Sequence, residues 1–379
     1  MSDCPAFIRS DLSELAAYTP NPGGKDLSSL DRLDANESPY DLPEELKAKL
    51  AWIYQQEIAT NRYPDGGHWQ LREAIAQYVN DSANLDNAIA AANISVGNGS
   101  DELIRSLLIA TCLNGEGAIL TANPTFSMYG ILAKTLGISS VTVPRRETDW
   151  TTELDTARQA IATVRNPPIK VVFVVHPNSP TGNILSHSEL DWLRNLPSNI
   201  LVVIDEAYFE FSQTSVVNEL AEHPNWVILR TFSKAFRLAA HRVGYAIAHP
   251  DLIAVLEKVR LPYNLPGFAQ IAAKIALQQR SLILPLVSET LQEKIKMWNI
   301  LAAIPQLKVW QSQANFLYVK LKDCDPNHDS QKYTQLIDEL KLRGTSIRYT
   351  GGGLRITIGT KAENARAIAR LQELLKHSY

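Results

Sequence analysis

Short and almost uninterrupted apolar runs recur along the first two thirds of the chain. They are AILTA (118–122), KVVFVV (170–175), LVVID (201–205), WVILRT (226–231) and VGYAIA (243–248). Strands that are buried on both faces have this composition, whereas half-buried strands alternate apolar and polar residues. The runs therefore predict a mostly parallel sheet with both faces covered.

Helical patterns lie between several of these runs. TFSMYGILAKTLG follows the first run, and SHSELDWLRNL opens with Ser186 and Glu189 at the spacing of a capping box. Strands that alternate with helices are typical of a parallel sheet with helices packed on it. We therefore predict an α/β fold in which helices cover a large, mostly parallel sheet.

The pattern changes after about residue 265. Helical segments at 329–344 and 361–376 bracket the short strand patterns NFLYVKL and LRITIG. The stretch YTPNPGGKD near the N-terminus is rich in turn formers and predicts no core element. We predict an N-terminal arm at residues 1–40, a large domain at 41–265 and a smaller C-terminal α/β domain at 266–379.

Composition limits the class of protein. The 379 residues are 45% hydrophobic and carry a net charge of -3, which argues against a surface that seeks nucleic acid. Cys4, Cys112 and Cys324 match no disulfide framework and no CxxC metal spacing. The acidic N-terminus is unlike a signal peptide, and no apolar stretch reaches the roughly 18 residues of a membrane span. We expect a cytoplasmic protein that acts on small molecules, without a metal or a membrane partner.

Lys234 and Arg242 lie in TFSKAFRLAAHRVGY (231–245), between two predicted strands. A Lys and Arg pair of this kind is most often part of a solvated surface. Four further motifs favour a binding site over a solvated surface, because each lies at the end of a predicted strand, where parallel-sheet enzymes bind their ligands. They are GNGSDELI (97–104), NPTFSMY (123–129), HPNSPTGN (176–183) and DEAY (205–208).

Each motif alone has a simpler explanation. Asp205 could cap a turn, Ser100 could be an N-cap, and Phe126 could belong to the core. GNGSDELI lacks the third glycine of a dinucleotide fingerprint and the lysine of a P-loop. It remains a glycine-eased helix start, which is a good place to bind phosphate.

Together the motifs suit pyridoxal 5′-phosphate. This cofactor needs an amine to hold its aldehyde as a Schiff base, a carboxylate at its ring nitrogen and a hydroxyl at its phenolate oxygen. Lys234, Asp205 and Tyr208 are groups of these kinds. A helix start, hydroxyls and an arginine suit its phosphate, and an aromatic residue such as Phe126 can stack on its ring. The candidate phosphate ligands are Gly99, Ser100, Ser233 and Arg242.

The order of GNGSDE, PTF, PNSPTG, DEAY, TFSKAF and HRVGY resembles the fold type I pyridoxal-phosphate aminotransferases of classes I and II, over nearly the whole chain. Within that group LDANESPY, NRYPD, LPYNL and LRITIGT are most similar to the histidinol-phosphate aminotransferases. The resemblance implies transamination of L-histidinol phosphate with 2-oxoglutarate, giving imidazole acetol phosphate and glutamate.

The resemblance also implies roles for individual residues. Lys234 would hold the cofactor, Asp205 would face its ring nitrogen, and Tyr208 would face its phenolate oxygen. Tyr63 would reach the phosphate from a neighbouring subunit, which implies a homodimer with shared active sites. The other implied cofactor ligands are Gly99, Ser100, Asp101, Phe126, Asn178, Thr231, Ser233 and Arg242, and the implied substrate ligands are Tyr18, Asn36, Asn264, Arg348 and Arg355.

One position departs from the family pattern. The residue directly before PTG is usually an asparagine, whose amide meets the phenolate oxygen, but here it is Ser179 and the asparagine is Asn178. Either of the two side chains could make this contact.

Two rival functions remain open, and a third is disfavoured. An aromatic or broad-specificity amino acid aminotransferase would have a similar pocket. A pyridoxal-phosphate decarboxylase of a phosphorylated amino acid would use the same cofactor residues, but it would release carbon dioxide and need no 2-oxo acid. A non-catalytic regulator that binds the cofactor would carry a DNA-binding module, for which the motif pattern leaves no room.

Overall fold

The computed structural model describes residues 7–12, 30–322 and 330–378, with the side chains of 377 and 378 left out. Tyr18, one of the predicted substrate ligands, lies outside the described residues. The helices are α1 Glu44–Glu57, α2 Trp69–Ala83, α3 Gly99–Cys112, α4 Met128–Thr135, α5 Leu154–Thr163, α6 His187–Arg194, α7 Phe209–Ser212, α8 Pro250–Val259, α9 Gly267–Gln278, α10 Arg280–Ile283, α11 Pro285–Ala302, α12 Ser330–Leu342 and α13 Lys361–Ser378. The strands are β1 Asp31–Arg32, β2 Ile94–Asn98, β3 Ala118–Asn123, β4 Ser140–Pro144, β5 Ile169–Val175, β6 Leu201–Asp205, β7 Trp226–Thr231, β8 Val243–Ala248, β9 Leu307–Val309, β10 Phe316–Leu321, β11 Thr345–Ser346, β12 Arg348–Thr350 and β13 Gly353–Thr357.

Within the described residues, seven strands form one large sheet in the order β2-β8-β7-β6-β5-β3-β4. Strand β8 is antiparallel to both of its neighbours, and the other pairs are parallel. The predicted α/β fold with a mostly parallel sheet is therefore confirmed. Strand β8 reverses because residues 232–242 are a short connection, whereas a parallel return needs a dozen residues or more.

The two faces of the large sheet explain the continuous apolar runs. Val172 and Val174 of β5 join one hydrophobic cluster, while Val171, Phe173 and Val175 of the same strand join another. Successive side chains of a strand point to opposite faces, so a strand with both faces buried must be apolar throughout.

A second sheet has the antiparallel order β12-β13-β10-β9 and packs against α11, α12 and α13. Helix α9 lies before this layer and packs against α2, with Ala269, Ala272 and Ala273 in the core of the large sheet. Its packing groups it with the large sheet, although the predicted boundary at residue 265 assigns it to the C-terminal domain. The division into 1–40, 41–265 and 266–379 stays a prediction.

Strand β1 ties the segment after residue 30 to the C-terminal layer, because it pairs in parallel with β11. Asp31 is buried, and its Oδ2 accepts hydrogen bonds from Arg370 Nη1 at 2.6 Å and from Arg366 Nε at 3.1 Å. Burial alone would raise the pKa of Asp31, but the hydrogen bonds and charges of Arg366 and Arg370 outweigh it and the pKa is lowered. The segment is therefore anchored by an ion pair with α13.

We expect Asp31→Asn to lower the free energy of unfolding by about 1–3 kcal/mol, because two guanidinium groups lose a charged acceptor. The pKa of Asp31 is depressed in the folded state, so its contribution is present above the ordinary aspartate pKa and is lost as pH falls below it. Urea titrations at pH 7 and pH 3 should therefore show a smaller difference between variant and parent at pH 3, which lies below the ordinary value of 3.8. Asp81→Asn, which breaks an exposed pair with Arg280, is the control and should change stability less. A loss at Asp31 no larger than the loss at Asp81 would contradict the anchor.

Candidate active site

Asp205 ends strand β6 and is 3% exposed. Its Oδ2 accepts a hydrogen bond from Tyr129 Oη at 2.7 Å, and its Oδ1 accepts one from the backbone N of Ala207 at 3.0 Å. Burial raises the pKa of Asp205 to about 6, and the two hydrogen bonds oppose that rise. The carboxylate is thus fixed in orientation and ionised at neutral pH.

Tyr129 was not singled out from the sequence, although it lies in NPTFSMY. It is completely buried in α4, stacks on Phe173 with ring centroids 4.5 Å apart, and meets the edge of the half-buried Phe126 at 5.5 Å. A tyrosine three residues beyond a candidate ring-stacking residue was the available signal. What the sequence could not show is that its hydroxyl meets a carboxylate 76 residues further on.

Lys234 lies in the short connection between β7 and β8. Its Nζ donates a hydrogen bond to the backbone oxygen of Ala35 at 2.9 Å. Burial, followed by the positive charge of Arg355, lowers the pKa of Lys234 from 10.5 to about 8. Near neutral pH a useful fraction of the amine is therefore unprotonated, which a nucleophile or a general base requires.

Tyr208 follows β6 by three residues and is buried. Its hydroxyl accepts a hydrogen bond from Asn36 Nδ2 at 2.8 Å, and its ring meets the edge of Phe316 at 5.1 Å. Burial raises the pKa of Tyr208, so the hydroxyl keeps its proton and remains a donor. Asn36 has φ 55°, a left-handed conformation that asparagine tolerates, and its backbone N donates to Thr357 Oγ1 at 2.9 Å.

The predicted phosphate ligands meet where α3 begins. Arg242 Nη1 donates to Ser233 Oγ at 3.2 Å, and its Nη2 donates to Asp101 Oδ2 at 3.3 Å. Thr231 Oγ1 lies 3.1 Å from Ser233 Oγ. A Cβ atom on Gly99 would lie 2.5 Å from Arg242 Nη2, and Gly99 has φ +73°, so only glycine fits.

The first backbone N–H groups of α3, including those of Ser100 and Asp101, have no partner within the helix. A Cβ on Gly244 of β8 would collide with the backbone N of Ser100, so this strand passes the helix start without side-chain atoms. A helix start with free donors, hydroxyls and a guanidinium is a place where a phosphate group fits.

Asn178 is fully buried and its amide is used inside the protein. Its Nδ2 donates to the backbone oxygen of Pro124 at 3.0 Å and to Thr181 Oγ1 at 2.6 Å. Its Oδ1 accepts from Thr125 Oγ1 at 3.0 Å and from Arg145 Nη2 at 3.4 Å. Asn178 therefore shapes the turn, and Arg145 is a supporting residue that sequence reasoning missed.

Ser179 faces the candidate site instead. Its Oγ accepts a hydrogen bond from Arg355 Nη1 at 3.2 Å, and its side chain lies close enough to Tyr208 to lower the pKa of that hydroxyl, against the larger effect of burial. Of the two alternatives that the sequence left open, the geometry favours Ser179 over Asn178 as the neighbour of Tyr208.

Arg355 of β13 lies opposite Arg348 of β12 in the antiparallel register. Side chains directly opposite each other share one face of a sheet, and two like charges in that position destabilise it. Arg355 Nη2 donates to the backbone oxygen of Asp34 at 2.6 Å, so this guanidinium reaches the segment that also contacts Lys234. The pair presents a doubly cationic face that suits an anion.

Two predicted residues have other partners. Tyr63 is 81% exposed and stacks on Tyr263 with ring centroids 4.5 Å apart. Asn264 Nδ2 donates to the backbone oxygen of Val96 at 3.1 Å and to Glu102 Oε2 at 2.9 Å. Within this chain Asn264 thus braces the junction of β2 and α3.

The described residues contain neither a membrane-spanning helix nor a metal cluster. No helix among them is long and apolar enough to cross a membrane. No group of three or more His, Cys, Asp or Glu side chains among them is placed to hold a metal ion.

The family model described as "Aminotransferase class I and II" matches residues 30–371. The chain therefore belongs to the class I and II aminotransferase family. It is 60% identical over 371 residues to histidinol-phosphate aminotransferase of Trichodesmium erythraeum, covering 97% of this chain and 98% of that relative.

Two solved structures show how widely the fold is shared. The structure of histidinol-phosphate aminotransferase from Sinorhizobium meliloti in complex with pyridoxal-5′-phosphate has a TM-score of 0.82 at 23% identity, covering 99% of both chains. That of L-threonine-O-3-phosphate decarboxylase from Porphyromonas gingivalis has a TM-score of 0.72 at 20% identity, covering 91% of this chain and 99% of that one. The fold alone therefore does not separate transamination from decarboxylation.

We expect Tyr129→Phe to fold normally but to move the acid limb of the pH profile of kcat/KM to higher pH. Without the Tyr129 hydrogen bond the carboxyl of Asp205 binds its proton more tightly, so it ionises at higher pH. Tyr78→Phe is a matched control, because Tyr78 is a buried tyrosine whose hydroxyl donates to Glu210 Oε1 at 3.0 Å. An equal shift in both variants, or none at Tyr129, would show that the bond to Asp205 has no part in the reaction.

Proposed function

We propose that this protein catalyses the transamination of L-histidinol phosphate with 2-oxoglutarate, giving imidazole acetol phosphate and glutamate, a reaction of histidine biosynthesis. The observation that carries the choice of substrate is the pair of arginines, Arg348 and Arg355, held on one sheet face next to the cofactor residues. The 60% identity to a histidinol-phosphate aminotransferase over nearly the whole chain supports the same reaction.

The cofactor is pyridoxal 5′-phosphate, and the described side chains fit its chemical groups. Asp205 supplies an oriented carboxylate, Lys234 an amine of lowered pKa and Tyr208 a protonated hydroxyl. The start of α3 and Arg242 form a cradle that a Cβ on Gly99 would fill. When bound, the cofactor supplies an electron sink for the pair left by removal of the substrate Cα proton.

Each side chain then has a definite task. The buried carboxylate of Asp205 would accept a hydrogen bond from the ring N–H of the bound cofactor and keep that nitrogen protonated, which preserves the ring as an electron sink. Lys234 in its amine form takes the Cα proton and gives it back at a neighbouring carbon, which a pKa of about 8 allows in both directions. Tyr208 donates its proton to an oxygen acceptor and is held in place by Asn36.

The second half-reaction uses the same anion site. Histidinol phosphate has a phosphate and no α-carboxylate, whereas 2-oxoglutarate and glutamate have carboxylates. A guanidinium pairs in bidentate fashion with either group. Arg355 is therefore proposed to bind both substrates in turn, with Arg348 adding the second charge that a phosphate dianion requires.

We further propose a homodimer with shared active sites in the cytoplasm. Exposed aromatic and aliphatic side chains gather on α1, on the segment 61–69 and near residue 262, and exposed apolar surface of this kind marks protein interfaces. They are Trp52, Tyr54, Tyr63, Trp69, Leu261 and Tyr263. A second copy of this chain on this surface would bring Tyr63 to the partner's phosphate cradle.

We expect kcat/KM to be about 100-fold higher for histidinol phosphate than for histidinol, because at least two charge-assisted hydrogen bonds are lost with the phosphate. Phenylalanine should be used poorly as amine donor, and turnover should need 2-oxoglutarate and release no carbon dioxide. Steady-state kinetics with the three amines provides the test. Equal use of histidinol, or a preference for phenylalanine, would contradict the substrate, and release of carbon dioxide without 2-oxoglutarate would identify a decarboxylase.

Subunit exchange tests the shared site. Tyr63→Phe should weaken turnover and Lys234→Ala should abolish it. In a mixed dimer one site then carries both defects and the other carries neither, so mixing should restore roughly half of the parental activity per mixed dimer. Mixing Arg158→Ala, an exposed change on α5, with Lys234→Ala controls for exchange itself. If the mixture were no more active than the unmixed Tyr63→Phe and Lys234→Ala variants, Tyr63 would act in its own subunit's site or in neither site.

A further inference from the structure

Strands β12 and β13 form a tight hairpin that was not singled out in the sequence. Thr350 pairs with Gly353, so the turn consists of Gly351 and Gly352 alone. Both have positive φ, +60° and +79°, as the two central residues of a type I′ turn do. The run TGGG therefore encodes a sharp hairpin whose tip carries no side chains.

The tip lies against the large sheet's loops. A Cβ atom on Gly351 would lie 2.6 Å from Pro124 Cβ and 3.1 Å from Pro180 Cγ. Pro124 comes two residues before Phe126, and Pro180 directly follows Ser179. The backbone of the hairpin tip thus sits between the two turns that carry candidate ring and substrate contacts.

Tyr318 of β10 holds the tip in that place. Its side chain is fully buried, and its Oη donates to the backbone oxygens of Gly351 at 2.5 Å and Thr350 at 3.3 Å. The ring meets Trp150 at 5.5 Å and Trp310 at 5.9 Å. The hydroxyl is therefore tied to the hairpin and the ring to loops of both layers.

The same tyrosine stands in one row with the arginines. Tyr318 is paired with Arg355 across β10 and β13, and Arg355 is paired with Arg348 across β13 and β12. Opposite residues share a face, so all three side chains leave the sheet on the side that meets the large domain. The arginines lie at the base of the hairpin whose tip Tyr318 fixes.

We propose that Tyr318 and Gly351 are positioning residues that set the preference for a phosphate-bearing amine, by fixing the hairpin that carries Arg348 and Arg355. The inference rests on the proposed function, because it assigns the phosphate to these arginines. Bidentate pairing depends on the placement of a planar guanidinium, so a loosened tip weakens phosphate binding. Lys234 and Asp205 lie on other elements and keep their contacts.

Two variants of the holoenzyme test this. Tyr318→Phe removes the hydroxyl and keeps the ring, and Gly351→Ala pushes the tip away from Pro124. Tyr349→Phe is the matched control for the first, because Tyr349 lies on the same hairpin and stacks on Tyr333 with ring centroids 5.0 Å apart. Gly115→Ala is the control for the second, because Gly115 has φ +77° with nothing within 4 Å of an added Cβ.

The measurement is kcat and KM for histidinol phosphate and for histidinol, with cofactor absorbance and thermal unfolding for each variant. We expect Tyr318→Phe and Gly351→Ala to raise KM for histidinol phosphate roughly fivefold or more, the equivalent of losing one hydrogen bond. KM for histidinol, kcat at saturating 2-oxoglutarate and the cofactor spectrum should change by less than about twofold, which corresponds to about 0.4 kcal/mol. KM for 2-oxoglutarate should rise too, because Arg355 is proposed to bind both substrates.

Other outcomes would overturn the inference. If Tyr318→Phe raised KM equally for histidinol phosphate and for histidinol, Tyr318 would be a general structural residue. A rise in KM for histidinol phosphate of similar size in Tyr349→Phe would lead to the same conclusion. If Tyr318→Phe left the ratio of KM for histidinol phosphate to KM for histidinol unchanged, the inference would be overturned even if Gly351→Ala failed to fold. If the parent protein itself did not prefer histidinol phosphate, the proposed function would fail, and that result is read before any variant is compared.

Discussion

Three consecutive residues hold the candidate site together. The backbone oxygen of Asp34 binds Arg355, that of Ala35 binds Lys234, and the side chain of Asn36 binds Tyr208. Arg355 lies in the small sheet, Lys234 in the β7–β8 connection and Tyr208 just after β6. These three positions are not adjacent in sequence. A single short segment, which follows the strand anchored at Asp31, thereby fixes their relative positions.

The carboxyl ends of β6 and β7 need a second constraint, because the functional side chains follow them. Arg230 donates to Glu206 Oε2 from Nε at 3.0 Å and from Nη2 at 2.8 Å, and both residues are buried. The parallel register that pairs Asp205 with Leu229 places Glu206 beside Arg230. Removing one member would leave an unpaired buried charge, which is costly, so the pair resists separation of the two strand ends.

Much of the fold follows from local patterns, and the contacts of the site do not. The apolar runs mark strands that are buried on both faces, and the strand ends locate Asp205 and Lys234 near one sheet edge. The same runs carry no signal of strand direction, so nothing in VGYAIA distinguished the antiparallel β8 from its neighbours. The role of Tyr129 could not be predicted for a related reason, because its hydrogen bond to Asp205 joins two residues that only the folded sheet brings together.

Asn178 and Ser179, the two side chains that the sequence left as alternatives, have different partners in the structure. Asn178 is held by Pro124, Thr181, Thr125 and Arg145, so the amide stabilises the turn and cannot also turn toward the site. Ser179 then offers a small hydroxyl that accepts a hydrogen bond from Arg355 and lies close enough to Tyr208 to lower its pKa.

The two layers of the protein meet at this hydroxyl, because Ser179 follows β5 of the large sheet and Arg355 belongs to β13 of the small one. The candidate groups for proton transfer and the candidate phosphate cradle lie on the former, and the two arginines proposed to bind substrate anions lie on the latter. A fold divided in this way can change its substrate through the small sheet while Lys234 and Asp205 stay in place.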